Sequence, residues 1–382
     1  MYVQKIFLKD FRNFDELNLK PNIATNIFLG QNAQGKTNIL EAVHFASLGR
    51  SRAAKDFELV RHGLPCAIVR INFCKADISH ELAIEITASR RHRKVLFDGN
   101  EIKFREIVGK LNSVMFSPED LFMFKNSPSV RRKFLDGEIS QASPIYFSAL
   151  VTYNRLVDQR NNLLKKIREG FVSPANLDLW TEQLANAAAK LTVKRLVTVR
   201  KLNSLANAMQ EKISSQSEKL SIKYDMHGLQ EFDRAELEKI NLQEISDSTE
   251  EKLSAWYHST LTARKFLDIK RGSTSLGPHL DDLQFFVNGN ELRLYGSQGQ
   301  LRTTALALKL SELQFLKLET GEYPLLLLDD VMSELDEKRR KQLLKFLERE
   351  KIQTLITATE KAYFPQKHFG KIFHVESGMV NV

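Results

Sequence analysis

The chain has 382 residues, a hydrophobic content of 42% and a formal net charge of +9. This length is sufficient for two domains, or for one large α/β domain with an insertion, and the composition excludes a disordered chain. The positive charge favours a polyanionic partner. The two cysteines, Cys66 and Cys74, fit no zinc-binding spacing and indicate reduced thiols. Charges within the first ten residues and the lack of an apolar run of roughly 18 residues predict a cytoplasmic protein with no membrane partner.

The first 110 residues alternate between apolar and polar positions, which is typical of strands, and include one predicted helix. The segments 67–73 and 82–86 show this alternation clearly. Residues 95–102 predict a hairpin with an Asp-Gly-Asn turn.

Residues 30–37 form a Walker A motif between a predicted strand at 26–29 and a predicted helix near Asn38. The glycines let backbone amides surround phosphate oxygens, and the helix amino terminus adds positive potential. Lys36 would reach the β- and γ-phosphates, and the Thr37 hydroxyl would bind Mg²⁺. The motif therefore predicts a site for a nucleoside triphosphate, the alternative being a glycine-rich turn that binds nothing. The predicted nucleotide-binding residues here are Gly30, Gln31, Asn32, Ala33, Gln34, Gly35, Lys36 and Thr37.

Helical periodicity dominates between about 130 and 270, where basic residues are interspersed with apolar ones. Runs of basic residues here and just upstream are compatible with contacts to DNA phosphates or with an ordinary solvated surface. These runs are Arg90–Lys94, Arg131–Lys133, Lys165–Lys166 and Lys194–Arg195.

The α/β pattern returns after about 270, with a second predicted hairpin at 285–292. Ser297, Gly299 and Gln300 open an amphipathic helix predicted over 301–319. A serine and a glycine at a helix amino terminus can bind a phosphate, and Lys36 already serves the chain's own site. The segment therefore predicts contact with a nucleotide held by another subunit, the alternative being an ordinary N-capped helix.

A buried strand over Leu325–Leu328 ends in Asp329 and Asp330, which forms a Walker B motif. Asp329 would orient the Mg²⁺ shell beside Thr37, and Asp330 would polarise the attacking water. The alternative is a core strand that ends in an acidic turn. The predicted catalytic residues are Lys36, Asp329 and Asp330, and the predicted metal ligands are Thr37 and Asp329.

The two halves of the site lie near opposite ends of the chain, which indicates a nucleotide-binding head that is split by a helical insertion. A charged helix at 336–349 and a strand at 354–357 follow the Walker B motif. His279, which lies near two carboxylates, suggests either a metal ligand or a residue with a turn-stabilising or dimer-adjacent role. The absence of a second histidine at ligand spacing favours the second interpretation.

In combination, these motifs resemble the SMC-like ABC ATPases, and more closely the RecF family of bacterial DNA replication and repair proteins. The resemblance spans nearly the full chain and rests on the two Walker motifs together with further segments. These segments are Leu8–Phe14, Phe116–Leu121, Arg131–Asp136, Gly277–Asp282 and Gly296–Gln300.

The resemblance implies an α/β fold: a split ABC-type P-loop ATPase head with an inserted, mainly helical arm domain. The expected boundaries are residues 1–130 for the first part of the head, 131–270 for the arm and 271–382 for the second part. The implied activity is a weak, DNA-stimulated ATPase whose heads form an ATP-dependent homodimer on duplex DNA, gapped DNA or single-strand junctions. The implied roles are recombinational repair and replication restart, with the mediator RecR in recombinase loading, and SOS induction.

The resemblance also implies roles for individual residues. Arg12 and Asn13 should approach the ATP, and Ser297 with Gly299 should meet the γ-phosphate across the dimer. Residues 333–336 should form the D-loop. Ser117 stands near the position of the usual Q-loop glutamine, and no switch histidine occurs in 356–359, where a threonine can substitute.

Two other functions remain open: a transporter-type ABC ATPase subunit and a nucleotide-gated scaffold without a DNA role. Transporter heads keep the two Walker motifs much closer together and need a membrane partner. Salt-dependent binding to duplex DNA distinguishes a DNA-binding protein from a scaffold.

Overall fold

The computed structural model describes residues 1–51, 55–88, 93–229, 247–364 and 370–381. Strands and helices are numbered separately in chain order. The strands are β1 (Tyr2–Phe11), β2 (Phe14–Leu19), β3 (Thr25–Leu29), β4 (Cys66–Lys75), β5 (Ile78–Thr87), β6 (Arg93–Phe97), β7 (Asn100–Glu101), β8 (Ser113–Phe116), β9 (Leu220–Asp225), β10 (Asp282–Val287), β11 (Asn290–Glu291), β12 (Leu325–Asp329), β13 (Thr354–Ala358), β14 (Lys371–Glu376) and β15 (Met379–Asn381). The helices are α1 (Lys36–Leu48), α2 (Pro128–Ala142), α3 (Pro144–Arg168), α4 (Leu177–Ile213), α5 (Asp247–Ala263), α6 (Lys265–Arg271), α7 (Leu292–Tyr295), α8 (Gln298–Thr320), α9 (Val331–Glu334) and α10 (Glu337–Glu350).

The described chain divides into two compact units. The first contains Met1–Phe122, Ala208–Glu218 and Gln298–Val382, and the second contains Met123–Asn207 and Lys219–Ser297. These boundaries differ from the predicted ones at 130 and 270. The boundary predicted near 270 moves to residue 297 because the hairpin β10–β11 pairs with β9 and so belongs to the second unit.

The first unit contains a six-stranded sheet in the order β15-β14-β3-β13-β12-β8, in which β14, β3, β13, β12 and β8 are parallel. Every residue of β3 is buried, as are Leu325–Leu328 of β12, which is typical of a parallel sheet covered on both faces. Asp329 pairs with Thr357, and Ala358 pairs with Leu29. The carboxyl ends of three central strands therefore meet at one edge, where the loops after β3 and β12 lie together.

A second six-stranded sheet of the first unit is antiparallel, in the order β2-β1-β4-β5-β6-β7. Helix α1 contacts β4 of this sheet and β8, β12 and β13 of the parallel sheet. Its side chains Ile39, Leu40 and Val43 are fully buried in a cluster that includes residues of both sheets. The first turn of α1, which follows the Walker A loop, is thereby held by a packed core.

The second unit contains α2, α3, α5, α6 and most of α4, together with a three-stranded sheet in the order β11-β10-β9. Both predicted hairpins are confirmed, as β6–β7 and β10–β11. The expectation that helical periodicity dominates up to residue 270 did not include β9. In this strand Asp225 lies opposite Asp282 and Leu220 lies opposite Val287, so β9 pairs with β10, which is distant from it in the sequence.

One arginine in each of two basic runs has a different role from either of those considered. Arg131 and Arg195 are each 2% exposed at the side chain. Arg131 donates to both carboxylate oxygens of Asp282 at 2.7 Å, and Arg195 donates to both oxygens of Asp136 at 3.0 Å. These arginines therefore neither contact DNA nor face solvent, because paired carboxylates hold them inside the second unit. Residues 90–92 of the first basic run lie outside the described residues.

Cys66 and Cys74 are both free, and they stand at partly buried and buried positions of β4. Among the helices of the described residues, none is long and apolar enough to cross a membrane.

Candidate functional site: a nucleotide-binding edge

The Walker A loop follows β3 and contains two glycines that no other residue can replace without a clash. Gly35 has a φ of +105°, and a Cβ there would lie 2.5 Å from the side-chain nitrogen of Asn13. A Cβ on Gly30 would collide with the carbonyl oxygen of Val375. The loop backbone is therefore packed closely against neighbouring segments, and glycine permits this approach at both positions.

Lys36 is the first residue of α1, and its ammonium lies inside the loop. The Nζ atom donates to the carbonyl oxygens of Gly30 and Gln31, both at 2.7 Å. Burial lowers the pKa of Lys36, and this is opposed by the nearby charges of Asp330 and Asp329. The positive charge thus lies between the loop and the Walker B carboxylates, at the place where phosphate oxygens would bind.

Thr37 connects the two Walker motifs directly. Its hydroxyl donates to Asp329 Oδ1 at 2.8 Å, although the two residues are 292 positions apart in the sequence. The Thr357 hydroxyl at the end of β13 donates to the same oxygen at 2.8 Å. Hydroxyl and carboxylate oxygens are the ligands that Mg²⁺ prefers, so the donors at this position fit that ion.

Asp330 follows β12 and has a φ of +50°, which lies in the left-handed region. Its backbone N–H donates to the Thr357 hydroxyl at 2.8 Å, which holds the residue in this conformation. The Oδ1 atom is buried and no described residue forms a hydrogen bond to it. Burial raises the pKa of Asp330, against the opposing effect of Lys36. A buried carboxylate oxygen without a donor is suited to accept a hydrogen bond from a bound water.

Asn13 and Gln34 attach the loop to the surrounding chain. Asn13 donates to the Gln34 carbonyl at 3.1 Å, and Asn38 donates to the Asn13 side chain at 2.8 Å. The Gln34 side chain accepts the Ser377 N–H at 2.5 Å, and the Gly378 N–H reaches the Gln34 carbonyl at 3.2 Å. The turn between β14 and β15 thus supports the Walker A loop, and no sequence motif indicated this.

The structure brings Asn13 to the loop and gives Arg12 a different set of partners. The Arg12 guanidinium donates to both carboxylate oxygens of Glu41 on α1, at 2.9 and 3.0 Å, and to the Glu58 carbonyl at 3.0 Å. A contact between Arg12 and the nucleotide therefore stays a prediction.

The segment with Ser297, Gly299 and Gln300 lies at the start of α8, and both Ser297 and Gly299 are exposed. One turn into the helix, the Thr303 hydroxyl donates to the Gly299 carbonyl at 2.9 Å and accepts from Arg339 of α10 at 2.6 Å. The start of α8 is thereby tied to the segment that follows the Walker B motif.

The predicted D-loop, residues 333–336, comprises the end of α9 and the two residues that precede α10. The Asp336 side chain caps α10 by accepting the Arg339 N–H at 2.8 Å, and Glu334 pairs with Arg302 of α8 at 2.9 Å. The Arg302–Glu334 pair therefore connects α8 with the D-loop segment, and the Arg339–Thr303 hydrogen bond connects α8 with α10.

Two residues that the sequence left ambiguous have defined partners. Ser117 follows β8, and its N–H donates to Asp120 at 2.8 Å. His279 Nδ1 lies 2.6 Å from the Tyr153 hydroxyl, and within the described residues no group of three or more potential ligands could hold a metal. The contact with Tyr153 is consistent with a turn-stabilising role for His279 in the second unit, and its role stays a prediction.

Comparison with known proteins agrees with this architecture. The model of the RecF/RecN/SMC N-terminal domain family matches residues 2–381. A DNA replication and repair protein RecF of Halothermothrix orenii is 39% identical, over 100% of this chain and 98% of the relative. The corresponding protein of Bacillus subtilis is 39% identical, over 94% of this chain and 93% of its own length.

Solved structures agree as well. A structure of the recombination mediator protein RecF-ATP in the RecFOR pathway superposes with a TM-score of 0.88 at 38% identity, covering 100% of this chain and 97% of that one. The Smc head domain of Pyrococcus furiosus bound to the C-terminal domain of ScpA reaches a TM-score of 0.55 at 15% identity, covering 99% and 95% of the two chains, which shows a shared fold. The predicted fold class, a split ABC-type ATPase head, is confirmed. With a family model over nearly its whole length and relatives close to 40% identical, the chain belongs to the RecF/RecN/SMC family, among its RecF members.

Proposed function

We propose that the chain is an ATP-dependent DNA-binding protein of DNA replication and recombinational repair. The observation that carries this proposal is the composite site at the edge of the parallel sheet, where Lys36, Thr37, Asp329 and Asp330 converge from opposite ends of the chain. The role in repair is supported by the RecF relatives, which are DNA replication and repair proteins.

ATP would be held with its phosphates in the Walker A loop, against Lys36 and the first turn of α1. Thr37 and Asp329 would hold Mg²⁺, which when bound withdraws electron density from the phosphates. Asp330 would accept a proton from the attacking water through its buried Oδ1. Asn13 keeps the loop in place through Gln34, and Arg12 would approach the nucleotide from its position on Glu41.

We propose that ATP drives dimerisation, because the start of α8, which the sequence predicts to bind phosphate, is exposed while the chain's own Walker motifs already contact each other. Ser297, Gly299 and Gln300 of one copy would contact the γ-phosphate held by a second copy. The pairs Arg302–Glu334 and Arg339–Thr303 would transmit this contact to the D-loop.

Hydrolysis in this dimer would be slow and stimulated by DNA. Duplex DNA, gapped DNA or a single-strand junction would be the nucleic-acid partner, in the cytoplasm. The mediator RecR would cooperate in recombinase loading at replication restart and in SOS induction. The RecFOR pathway of the related structure supports this assignment.

Sedimentation velocity at fixed protein concentration, with and without Mg²⁺-ATP, tests the dimer. We expect the wild type to change from monomer to dimer with ATP, and Ser297→Arg to bind ATP but remain monomeric. Ser259→Arg, which replaces an exposed serine of α5, is the matched control and should dimerise normally. A wild type that stays monomeric with ATP contradicts the dimer, and normal dimerisation of Ser297→Arg contradicts the role of Ser297.

Binding to duplex DNA at several salt concentrations tests the DNA role separately. Contacts to phosphates predict a logarithmic affinity that falls linearly with the logarithm of salt concentration, at about −0.9 per phosphate contact. Binding should strengthen with ATP in the wild type and not in Lys36→Met. If the chain does not bind duplex DNA at low salt, the proposed DNA-binding role is contradicted and only the ATPase part of the proposal stands.

A further inference from the structure

A basic and aromatic surface of the second unit is not used by the site described above. It is formed where α3 ends, where the loop to α4 begins and where α6 runs. We call it the basic–aromatic patch and define it by Lys165, Arg168, Phe171, Phe266, Lys270 and Arg271, each of which is exposed.

The patch surrounds one small apolar core. Leu164, Ile167 and Leu177 form that core, and Val172 and Ile269 pack against it. Phe171 directly precedes Val172, and Phe266 lies one helical turn before Ile269, so both phenylalanines belong to segments that pack against this core. The ends of α3 and α6 also meet directly, because the Arg168 guanidinium donates to the Arg271 carbonyl at 3.4 Å.

The charge of this surface is strongly positive. The segments 163–180 and 264–272 contain three carboxylates, Glu169, Asp178 and Asp268. Asp268 is fully buried against Arg160 at 2.8 Å, and Asp178 pairs with Lys265 at 2.7 Å. Glu169 is the third carboxylate, and it is exposed on the same segment as the cations of the patch. Lys166 on α3 is a further exposed cation next to the patch.

The two phenylalanines are exposed to an extent that packing does not explain. Phe171 is 78% exposed and Phe266 is 82% exposed. Exposed aromatic rings beside cations are the combination that binds single-stranded nucleic acid, because bases stack on the rings while the cations neutralise phosphates. A duplex offers no free base faces to such rings.

We propose that the basic–aromatic patch binds single-stranded DNA by stacking bases on Phe171 and Phe266. The cations at the ends of α3 and α6 hold the phosphates. This proposal rests on the proposed DNA-binding function and extends it: the patch supplies the preference for a strand that leaves a duplex, as at a gap or a junction.

Fluorescence anisotropy with two labelled probes tests the proposal: a 20-base-pair duplex and the same duplex with a 15-nucleotide single-stranded thymidine tail. All titrations are done with the full chain and Mg²⁺-ATP. We expect the wild type to bind the tailed probe more tightly. Phe171→Ala/Phe266→Ala should weaken binding to the tailed probe at least tenfold and change duplex binding less than twofold. Phe171→Tyr/Phe266→Tyr keeps both rings and should retain wild-type affinity.

Charge reversal tests the phosphate contacts. Lys165→Glu/Lys270→Glu should reduce the steepness of the salt dependence on the tailed probe by about 1.4, the value for two single-strand phosphate contacts. Ile145→Ala, at an 84% exposed position of α3, and Lys345→Glu, at an exposed position of α10, are the matched controls and should leave both probes unaffected.

The outcomes separate this proposal from the proposed function. If the wild type binds the duplex but gains nothing from the tail, or the double alanine variant loses nothing, the patch proposal is overturned while the proposed function stands. The second result would mark the patch as a surface for a protein partner. If the tail binds through the patch but the duplex does not bind, the patch proposal stands and duplex binding is overturned. If neither probe binds, both are overturned.

Discussion

A single hydroxyl, that of Thr357, connects the two acidic residues of the candidate site. It donates to Asp329 Oδ1 and accepts the backbone N–H of Asp330, both at 2.8 Å. The left-handed conformation of Asp330 costs about 1 kcal/mol for a residue with a side chain, and the hydrogen bond from its N–H offsets that cost. Thr357 thus positions Asp330 and orients Asp329, at the strand end where the sequence lacks a switch histidine.

Replacing this hydroxyl should slow hydrolysis without unfolding the sheet. Thr357→Val keeps the shape of the side chain but leaves the partly buried Asp330 N–H without its acceptor, so we expect kcat for ATP to fall about tenfold. Thr357→Ser should restore most of the rate. Steady-state phosphate release at saturating ATP measures the effect.

Thr354→Val is the matched control. Thr354 is buried on the same strand, and its hydroxyl donates to the Ile352 carbonyl at 3.1 Å, remote from the Walker B carboxylates. The Thr354→Val substitution should change kcat less than twofold. Equal losses in the two variants would show that Thr357 acts only through strand stability.

At the scale of elements, the turn between α6 and β10 is held by polar contacts from several helices and from β9. Arg195 of α4 donates to the Pro278 carbonyl at 2.6 Å, and Tyr224 of β9 donates to Asp281 at 2.5 Å. Burial lowers the pKa of His279 to about 4 and raises that of Asp281 to about 6. The turn therefore contains two buried titratable groups, and a fall in pH changes the free energy of unfolding in opposite directions through the two of them.

The sign of each effect follows from linkage. An ordinary histidine protonates near pH 6.5, so at pH 5 the unfolded chain binds a proton that folded His279 does not bind. His279 should therefore lower the free energy of unfolding by about 2 kcal/mol between pH 7.5 and pH 5. Folded Asp281 binds a proton that the unfolded aspartate does not bind over this range, so Asp281 should raise the free energy of unfolding by about 1 kcal/mol.

Denaturant unfolding followed by circular dichroism at the two pH values separates the contributions. Between pH 7.5 and pH 5, the free energy of unfolding of His279→Asn should rise relative to that of the wild type. Over the same range, the free energy of unfolding of Asp281→Asn should fall relative to that of the wild type. Arg132, Arg195 and His227 also face this turn and are unchanged in both variants. Parallel pH profiles for all three proteins would contradict the buried state of both groups.

Several elements followed from local sequence alone. The observed α8, Gln298–Thr320, lies close to the predicted helix at 301–319, because its apolar spacing is regular over several turns. The observed β12, Leu325–Asp329, includes the predicted strand of leucines. Strand β9 was missed, since six residues within a helical region become a strand only through pairing with β10.

At the scale of the whole molecule, the chain passes between the two units more than once. The end of α4 and the residues after it, Ala208–Glu218, belong to the first unit, while Lys219 returns to the second. Every residue assigned to Mg²⁺ and to the Walker motifs lies in the first unit. The apolar core around Leu164 lies in the second.

Nucleotide should therefore stabilise one unit selectively. Differential scanning calorimetry of the full chain should resolve two transitions, and Mg²⁺-ATP at about 100 times its Kd should raise only one of them. A gain of about 2.7 kcal/mol predicts a shift of about 5 °C or more. Lys36→Met should abolish the shift. A single transition, or equal shifts of both, would contradict separate unfolding of the two units.

Local sequence was enough to predict the residues of the candidate nucleotide site. A Walker motif is a run of neighbouring residues whose spacing already specifies a strand, a loop and a helix, and parallel strands bring such loops to one edge. Which basic side chains are exposed, and so able to contact DNA phosphates, depends on the tertiary structure. Arg131 and Arg195 look like surface cations until their partners Asp282 and Asp136, 151 and 59 positions away, are seen to bury them. Lys165 and Phe171 stay exposed because their neighbours complete the small core without them. Burial and pairing depend on residues distant in the chain, and local sequence patterns do not encode that proximity.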